Sequence, residues 1–138
     1  MAEPRQSHKR ALIITIACVL LVVILSGAGV LIWMTRGLST YSKMTIGNVD
    51  FSRLPDGTYQ GTFNGGRFSN TVEVTVIDHK VTAIKVVKDV TFKDPARRRQ
   101  IIDSVIKAQS LKVDTITGAT ATGKAYLKAI ENALSGAK

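Results

Sequence analysis

The sequence predicts an α+β domain, a small antiparallel sheet packed by two helices, preceded by one N-terminal transmembrane helix. Three observations predict it. Residues 11–34 carry no charge, valines alternate with polar residues before Ile77, and apolar residues recur at helical spacing after Thr122. A length of 138 residues suits one domain plus an anchor. We expect a cytoplasmic N-terminus over 1–10, a transmembrane helix over 11–34, a linker or stalk over 35–53 and a domain over 54–138.

The uncharged run is long enough to cross a bilayer. Two dozen helical residues extend about 36 Å, more than the roughly 30 Å hydrocarbon core. A signal peptide is the competing interpretation, but its apolar region is typically only about 7 to 15 residues long. Cys18 invites a lipoprotein interpretation, yet Thr15 stands where an aliphatic residue is expected. We therefore expect a membrane span, with Cys18 as a small apolar residue.

Flanking charges predict the orientation. Arg5, Lys9 and Arg10 precede the span, whereas only Arg36 and Lys43 follow it closely. This bias keeps the N-terminus in the cytoplasm and predicts a single-pass cell-membrane protein with its C-terminal domain outside.

The domain has no cysteine, since Cys18 is the single one in the chain. This excludes a disulfide within the domain, a C-x-x-C-H haem attachment site, a cysteine zinc site and a cysteine-ligated iron-sulfur cluster. If the domain carries electrons, an organic cofactor must hold them.

Three strands are predicted after the polar stalk. The turn signal Pro55-Asp56-Gly57 opens a strand over 58–63, Asn64-Gly65-Gly66 forms the next turn, and the second strand covers 68–77. A turn at 78–80 leads to a third strand over 81–87, with an extension to residue 92 left open. His79 at that turn is expected to be a solvated turn residue and not a ligand.

A helix is predicted to begin at Asp94-Pro95, a capping residue followed by proline. We expect its apolar stripe to pack on the sheet face lined by valines. The stripe comprises Ile101, Ile102, Val105 and Ile106.

The run Arg97 to Arg99 is the most concentrated charge in the chain. From residue 37 onward, fifteen basic residues against nine acidic ones give a net charge of +6. Nucleic acid is not expected as a partner, because no aromatic residues interleave the arginines and the domain is expected to face outward. A solvated helix face is the favoured interpretation, and attraction to anionic lipid or to an acidic redox partner is the alternative.

The segment D-T-I-T-G-A-T-A-T, from Asp114 to Thr122, leads into a helical pattern over 123–134. Thr120 and Thr122 are therefore expected at or just before a helix N-terminus, where free N–H groups and the helix dipole favour a phosphate. Ordinary N-capping by threonine is the alternative. The apolar face of this helix comprises Tyr126, Leu127, Ile130 and Leu134.

This segment closely resembles the flavinylation motif of the FMN-binding domain family, an Asp followed by Ser/Thr-Gly-Ala-Thr. The opening L-P-D-G-T-Y-Q-G-T-F, the strand T-V-E-V-T-V-I and the closing helix also look like this family. The resemblance implies that a flavin transferase uses FAD to attach FMN through its phosphate to Thr120. It implies no catalytic and no metal-ligating residue. The motif positions around the attachment site are Asp114, Thr117, Gly118, Ala119 and Thr122.

The resemblance also implies a role. Family members that serve in sodium-pumping NADH:quinone reductase have a segment like E-T-P-G-L-G, where this chain has D-V-T-F-K-D-P-A. A compact domain on one span is more similar to extracytoplasmic electron-transfer flavoproteins. We therefore expect an electron carrier or redox subunit rather than a stand-alone enzyme. It would take electrons from a membrane donor, such as a quinol or a reductase, and pass them to an extracytoplasmic acceptor.

Two other classes stay open at this point. The protein could be an accessory subunit of a larger membrane oxidoreductase complex, or a non-redox ligand-binding module in which the motif is only a capped turn. The pair Gly65-Gly66 could let a flavin ring lie against the backbone, although a hairpin turn explains it equally well.

Overall fold

The computed structural model describes residues 5–113 and 120–137. The chain divides into two compact units, Met1–Arg36 and Gly37–Lys138.

The first unit contains helix α1, Arg5–Thr35. Within the described residues, this is the helix that is long and apolar enough to cross a membrane. Its aliphatic side chains point outward on all sides, so the helix has no polar face. The hydroxyls of Thr15, Ser26 and Thr35 donate to backbone carbonyls of the preceding turn, at 2.9, 3.0 and 3.0 Å. These hydroxyls form their hydrogen bonds within the helix and need no water. A helix in the hydrocarbon core must meet this condition, because no water is present there.

The second unit is an α+β domain, as predicted. Its three strands form an antiparallel sheet in the order β1-β2-β3. Short 3-10 turns lie at Phe51–Arg53 and Gly66–Phe68. The helices and strands are α2 (Leu38–Ser42), β1 (Gly57–Phe63), β2 (Asn70–Ile77), β3 (Lys80–Lys88), α3 (Pro95–Ala108) and α4 (Thr120–Ser135).

The turn between β2 and β3 has Asp78 and His79 at positive φ, 53° and 59°, the conformation that matches the twist of a two-residue hairpin. His79 is exposed, and its backbone N–H donates to Asp56 Oδ1 at 3.1 Å. Its Nδ1 lies 2.7 Å from the Leu54 carbonyl oxygen, so this nitrogen carries the proton. His79 thus fastens the hairpin to the residues that precede β1.

Helix α4 covers the buried face of the sheet. That face contains Val72, Val74 and Val76 on β2, all at most 1% exposed. The helix approaches β1 so closely that a Cβ added to Gly61 would lie 2.7 Å from the Ala133 Cα. The predicted apolar face of α4 is buried, together with a second row of small residues on the same helix: Ala125, Ala129 and Ala133.

Helix α3 begins as predicted, with the Asp94 carboxylate accepting the Arg97 N–H at 3.2 Å and proline at the first position. α3 lies against β3 and α4, with Ile101 and Val105 buried in the same core as the valines. It lies on the β3 side of the valine face, beside Ile84 and Val86, which pair with Val74 and Val72. α4 packs against β1 and β2.

Residues expected to form a stalk pack against the domain over much of their length. Tyr41 on α2 meets the rings of Phe63 and Phe68 edge-on, at centroid distances of 5.5 and 5.3 Å. The Gly47 N–H donates to Glu131 Oε2 on α4 at 3.1 Å. Further contacts to the core come from Met44, Ile46 and Val49. The apolar side chains here are too irregularly spaced for a periodic pattern to reveal them.

Candidate functional site

Thr120 is the first residue of α4, and Thr122 lies in the first turn. Both are half-buried. Because both lie within the helix, neither is its N-cap. The first turn of a helix has N–H groups without partners in the helix, so the region around Thr120 suits an anion. The other predicted motif residues, Asp114, Thr117, Gly118 and Ala119, lie outside the described residues.

A pocket of about 170 Å³ opens beside the first turn of α4. Thr122 contributes its polar edge, and Arg67 supplies a cation from the connection between β1 and β2. The rest of the lining is apolar: Leu38, Phe68, Val90 and Phe92. Phe92 is 57% exposed, an unusual position for a large aromatic side chain.

Two backbone segments meet at this pocket. The Thr91 N–H donates to the Arg67 carbonyl at 2.9 Å, so the chain after β3 is held against the connection between β1 and β2. This bond brings Phe92 beside Arg67, whose guanidinium carbon lies 5.9 Å from the centre of the Phe92 ring. It also lies 4.8 Å from the centre of the Phe68 ring. A cation over aromatic faces is favourable, at about 0.5–1 kcal/mol for exposed sites.

One edge of the Arg67 guanidinium has no hydrogen-bond partner in the part of the chain that the structure describes. Its Nε and Nη2 atoms are buried and have no hydrogen-bond partner among the described residues. Buried donors are nearly always paired, and one left unpaired costs about 1–3 kcal/mol. These two N–H groups point the same way and form the bidentate fork that recognises paired acceptor atoms.

A polar cluster holds α4 in place beside the pocket. The Tyr126 hydroxyl donates to Asp89, directly after β3, and Arg98 on α3 pairs with the same carboxylate. The Val90 N–H also donates to Asp89, at 2.9 Å. Burial favours the neutral acid, but hydrogen bonds from Tyr126, Val90 and Arg98 outweigh it and lower the pKa of Asp89. Burial and the Asp89 carboxylate raise the pKa of Tyr126.

Comparison with known proteins identifies the domain. Residues 69–135 match the family model described as an FMN-binding domain. The match assigns these residues to an FMN-binding domain. The match covers β2, β3, α3 and the motif, and it ends on the last residue of α4. No curated protein matches this chain.

The family identifies FMN as the cofactor of this domain. An FMN-binding domain that follows an apolar helix of this length fits a membrane-anchored flavoprotein. The residues present fit the cofactor. A helix N-terminus suits its phosphate, the apolar pocket suits its aromatic ring, and the unpaired N–H groups of Arg67 suit the acceptor atoms of either group.

The structure adds candidate site residues that sequence reasoning missed. Neither Arg67 nor Phe92 belongs to a recognisable sequence motif. The fold brings both beside Thr122. It also shows that Gly65 has a packing role. A Cβ on Gly65 would lie 2.8 Å from Phe63 Cζ and 3.2 Å from Tyr41 Cζ, so aromatic side chains already occupy the space beside this backbone.

Proposed function

We propose that this protein is a membrane-anchored, extracytoplasmic electron-transfer flavoprotein. In this proposal FMN is attached covalently, through its phosphate, to Thr120. The observation that carries the proposal is that the threonine of the flavinylation motif, within the matched domain, is the first residue of α4.

Attachment requires a partner enzyme and a defined exchange of bonds. A flavin transferase would bring FAD, and the Thr120 hydroxyl oxygen would bond to the phosphorus on the flavin side. The bond between the two phosphates breaks, AMP leaves, and the hydroxyl proton goes to a base of the transferase. The product is a phosphodiester with one negative charge, which the N-terminus of α4 would stabilise by about 0.3–2 kcal/mol at a half-buried position.

The bound FMN supplies the redox chemistry, while the protein supplies attachment and electrostatics. A covalent bond suits an outward-facing domain, because dissociated FMN would be diluted outside the cell. The proposed donor is a quinol or a reductase in the membrane, and the acceptor lies outside the cytoplasm. The cations Arg5, Lys9 and Arg10 at the start of α1 support this orientation, with the N-terminus in the cytoplasm.

Substitution of Thr120 tests the attachment site. After co-expression with a flavin transferase, we expect wild type and Thr122→Val to gain the mass of one FMN less one water. Thr120→Val should gain none and should keep its fold, because valine is nearly isosteric with threonine. Intact-mass measurement, peptide mapping and in-gel flavin fluorescence provide the readouts. Equal flavin content in Thr120→Val and wild type would contradict the assignment.

A protease-protection experiment tests the orientation. Protease added to intact spheroplasts should degrade the domain and leave a short N-terminal fragment in the membrane. A cytoplasmic marker protein should survive as the control. Protection of the domain until the membrane is lysed would reverse the proposed topology.

A further inference from the structure

We propose that Arg67 binds the pyrimidine edge of the FMN ring and raises the reduction potential of the flavin. This inference rests on the proposed function, because it concerns the cofactor attached at Thr120. It assigns a residue outside the motif, on the connection between β1 and β2, to the control of redox chemistry.

The pocket lining favours the ring over the phosphate as the group that Arg67 meets. Apart from Arg67 and Thr122, the lining consists of aliphatic and aromatic side chains. These surfaces suit an aromatic heterocycle, whereas a phosphate needs donors on several sides. The exposed ring of Phe92 gains cover when a flat ligand lies against it.

The proposed orientation of the ring follows from the two unpaired donors of Arg67. Nε and Nη2 can donate two parallel hydrogen bonds to neighbouring acceptors. On an isoalloxazine, such acceptors occur at the pyrimidine end, for example N1 and the C2 carbonyl. The opposite, dimethylbenzene end has none, so it would point away from the guanidinium.

The pocket size implies a partly exposed flavin. At about 170 Å³ it is smaller than the roughly 300–1,000 Å³ of sites that enclose a small-molecule ligand. It therefore holds one edge of the ring and leaves the rest accessible. An electron carrier needs this access, because its partners must approach the ring closely.

The charge on Arg67 has a predictable effect on the redox equilibrium. Reduction adds two electrons and one proton to the ring, and the reduced form then carries one negative charge at N1 and the C2 carbonyl. A guanidinium at that edge stabilises the reduced form more than the neutral oxidised form. Within the described residues no carboxylate pairs with Arg67, so its charge is available to the ligand.

The test is a redox titration of the full-length, flavinylated protein in detergent. Arg67→Met removes the charge and the fork while keeping an apolar chain of similar length. The matched control is Arg53→Met, because the Arg53 side chain is 87% exposed. We expect Arg67→Met to lower the equilibrium constant for reduction of the flavin at least tenfold. This corresponds to a potential about 30 mV lower for a two-electron couple. Arg53→Met should match wild type.

The outcomes separate this inference from the proposed function. A wild-type protein without covalent FMN would overturn both. Wild type and Arg67→Met with equal flavin content and equal potentials would overturn the role of Arg67 and leave the function intact. A folded Arg67→Met that fails to acquire FMN would place Arg67 at the phosphate during attachment, which also overturns the ring contact. If Arg67→Met does not fold, the neutral Arg67→Gln replaces it, with the same downward shift expected and an unchanged potential contradicting the proposal.

Discussion

Tyr126 connects the helix that bears Thr120 to the end of the sheet. Its side chain is buried, and its hydroxyl donates to Asp89, which Arg98 also binds. Hydrogen bonds to a charged group contribute about 1.5–3 kcal/mol each, more than neutral ones. Three segments of the chain therefore meet at one carboxylate, and this contact holds the N-terminal half of α4 beside the pocket.

The raised pKa of Tyr126 predicts a loss of stability in alkali. The folded state binds the phenol proton more tightly than the unfolded state does. This stabilisation is complete below the ordinary tyrosine pKa of about 10, and it is lost as the pH rises through the raised value. Tyr126→Phe should lower the free energy of unfolding by about 1.5–3 kcal/mol at neutral pH. It should also reduce the further loss of stability as the pH rises above about 10.

Denaturant unfolding across pH 7 to 11 measures this effect. The control is Tyr59→Phe, whose hydroxyl donates to the Pro55 carbonyl at 2.8 Å in an exposed position. Tyr59→Phe should lower the free energy of unfolding less than Tyr126→Phe does, and its stability should still fall in alkali as in wild type. An alkaline decline of equal slope in Tyr126→Phe and wild type would argue against the role of this phenol.

At the scale of elements, the close approach of α4 to β1 determines how the sheet is covered. Gly61 faces the backbone of the helix, and the small residues of α4 allow this distance. A side chain at position 61 would meet backbone atoms, which cannot rotate away. The packing of α4 therefore depends on one residue of β1.

Gly61→Ala should destabilise the domain by about 3 kcal/mol, the upper end of the range for overpacking. Thr62→Ala is the control, because its exposed hydroxyl makes only a cross-strand bond of 3.0 Å to Thr71. Urea unfolding monitored by circular dichroism compares the two. Equal stability of Gly61→Ala and Thr62→Ala would show that the helix can shift without cost.

The end of α3 is joined to the start of β3 through one amide. Gln109 has φ 49°, the left-handed conformation, and its side chain bonds both backbone groups of Val81, at 2.9 and 2.8 Å. The amide thus acts as a short strand partner for the start of β3.

Gln109→Ala should cost about 2–3 kcal/mol, because two backbone groups lose their partners, while alanine keeps the strain at positive φ that Gln109 already carries. Gln109→Gly loses the same bonds without that strain and should be about 1 kcal/mol more stable than Gln109→Ala. Hydrogen exchange at the Val81 amide should accelerate in both variants. Unchanged exchange would show that this N–H does not depend on Gln109.

For the whole molecule, residues 37–53 belong to the same compact unit as the folded domain. Phe51 is 4% exposed, and Tyr41 packs on two aromatic rings. Burying a large apolar side chain contributes about 1.5–3 kcal/mol, against a total stability of about 5–15 kcal/mol for a domain. Losing both residues would therefore remove much of the net stability.

A domain starting at Gly37 should fold cooperatively, whereas one starting at Leu54 should be at least about 3 kcal/mol less stable. Thermal and urea unfolding of the two truncated proteins compare them directly. Equal midpoints would mean that residues 37–53 act only as a spacer.

Local periodicity and turn chemistry were sufficient to predict three features of the fold. These are the strand order, the start of α3 at Asp94 and the amphipathic face of α4. The motif, which is also local, predicted the family and the cofactor. Local patterns could not predict that α4 covers the valine face or that residues 37–53 pack on the domain. Both features depend on contacts between distant segments. The sequence also overstated the local net positive charge of the arginine run. In the structure Arg97 pairs with Asp94 and Arg98 pairs with Asp89.

By itself, the sequence determined the apolar helix, the α+β class and the FMN-binding motif, since each is a pattern within a short stretch. The tertiary structure alone decided the surroundings of Thr122. Arg67, Phe92 and Thr122 come from three different segments, and they meet because the Arg67 carbonyl binds the Thr91 N–H and α4 packs on the sheet. Contacts of this kind form when the core assembles, so no local pattern records them.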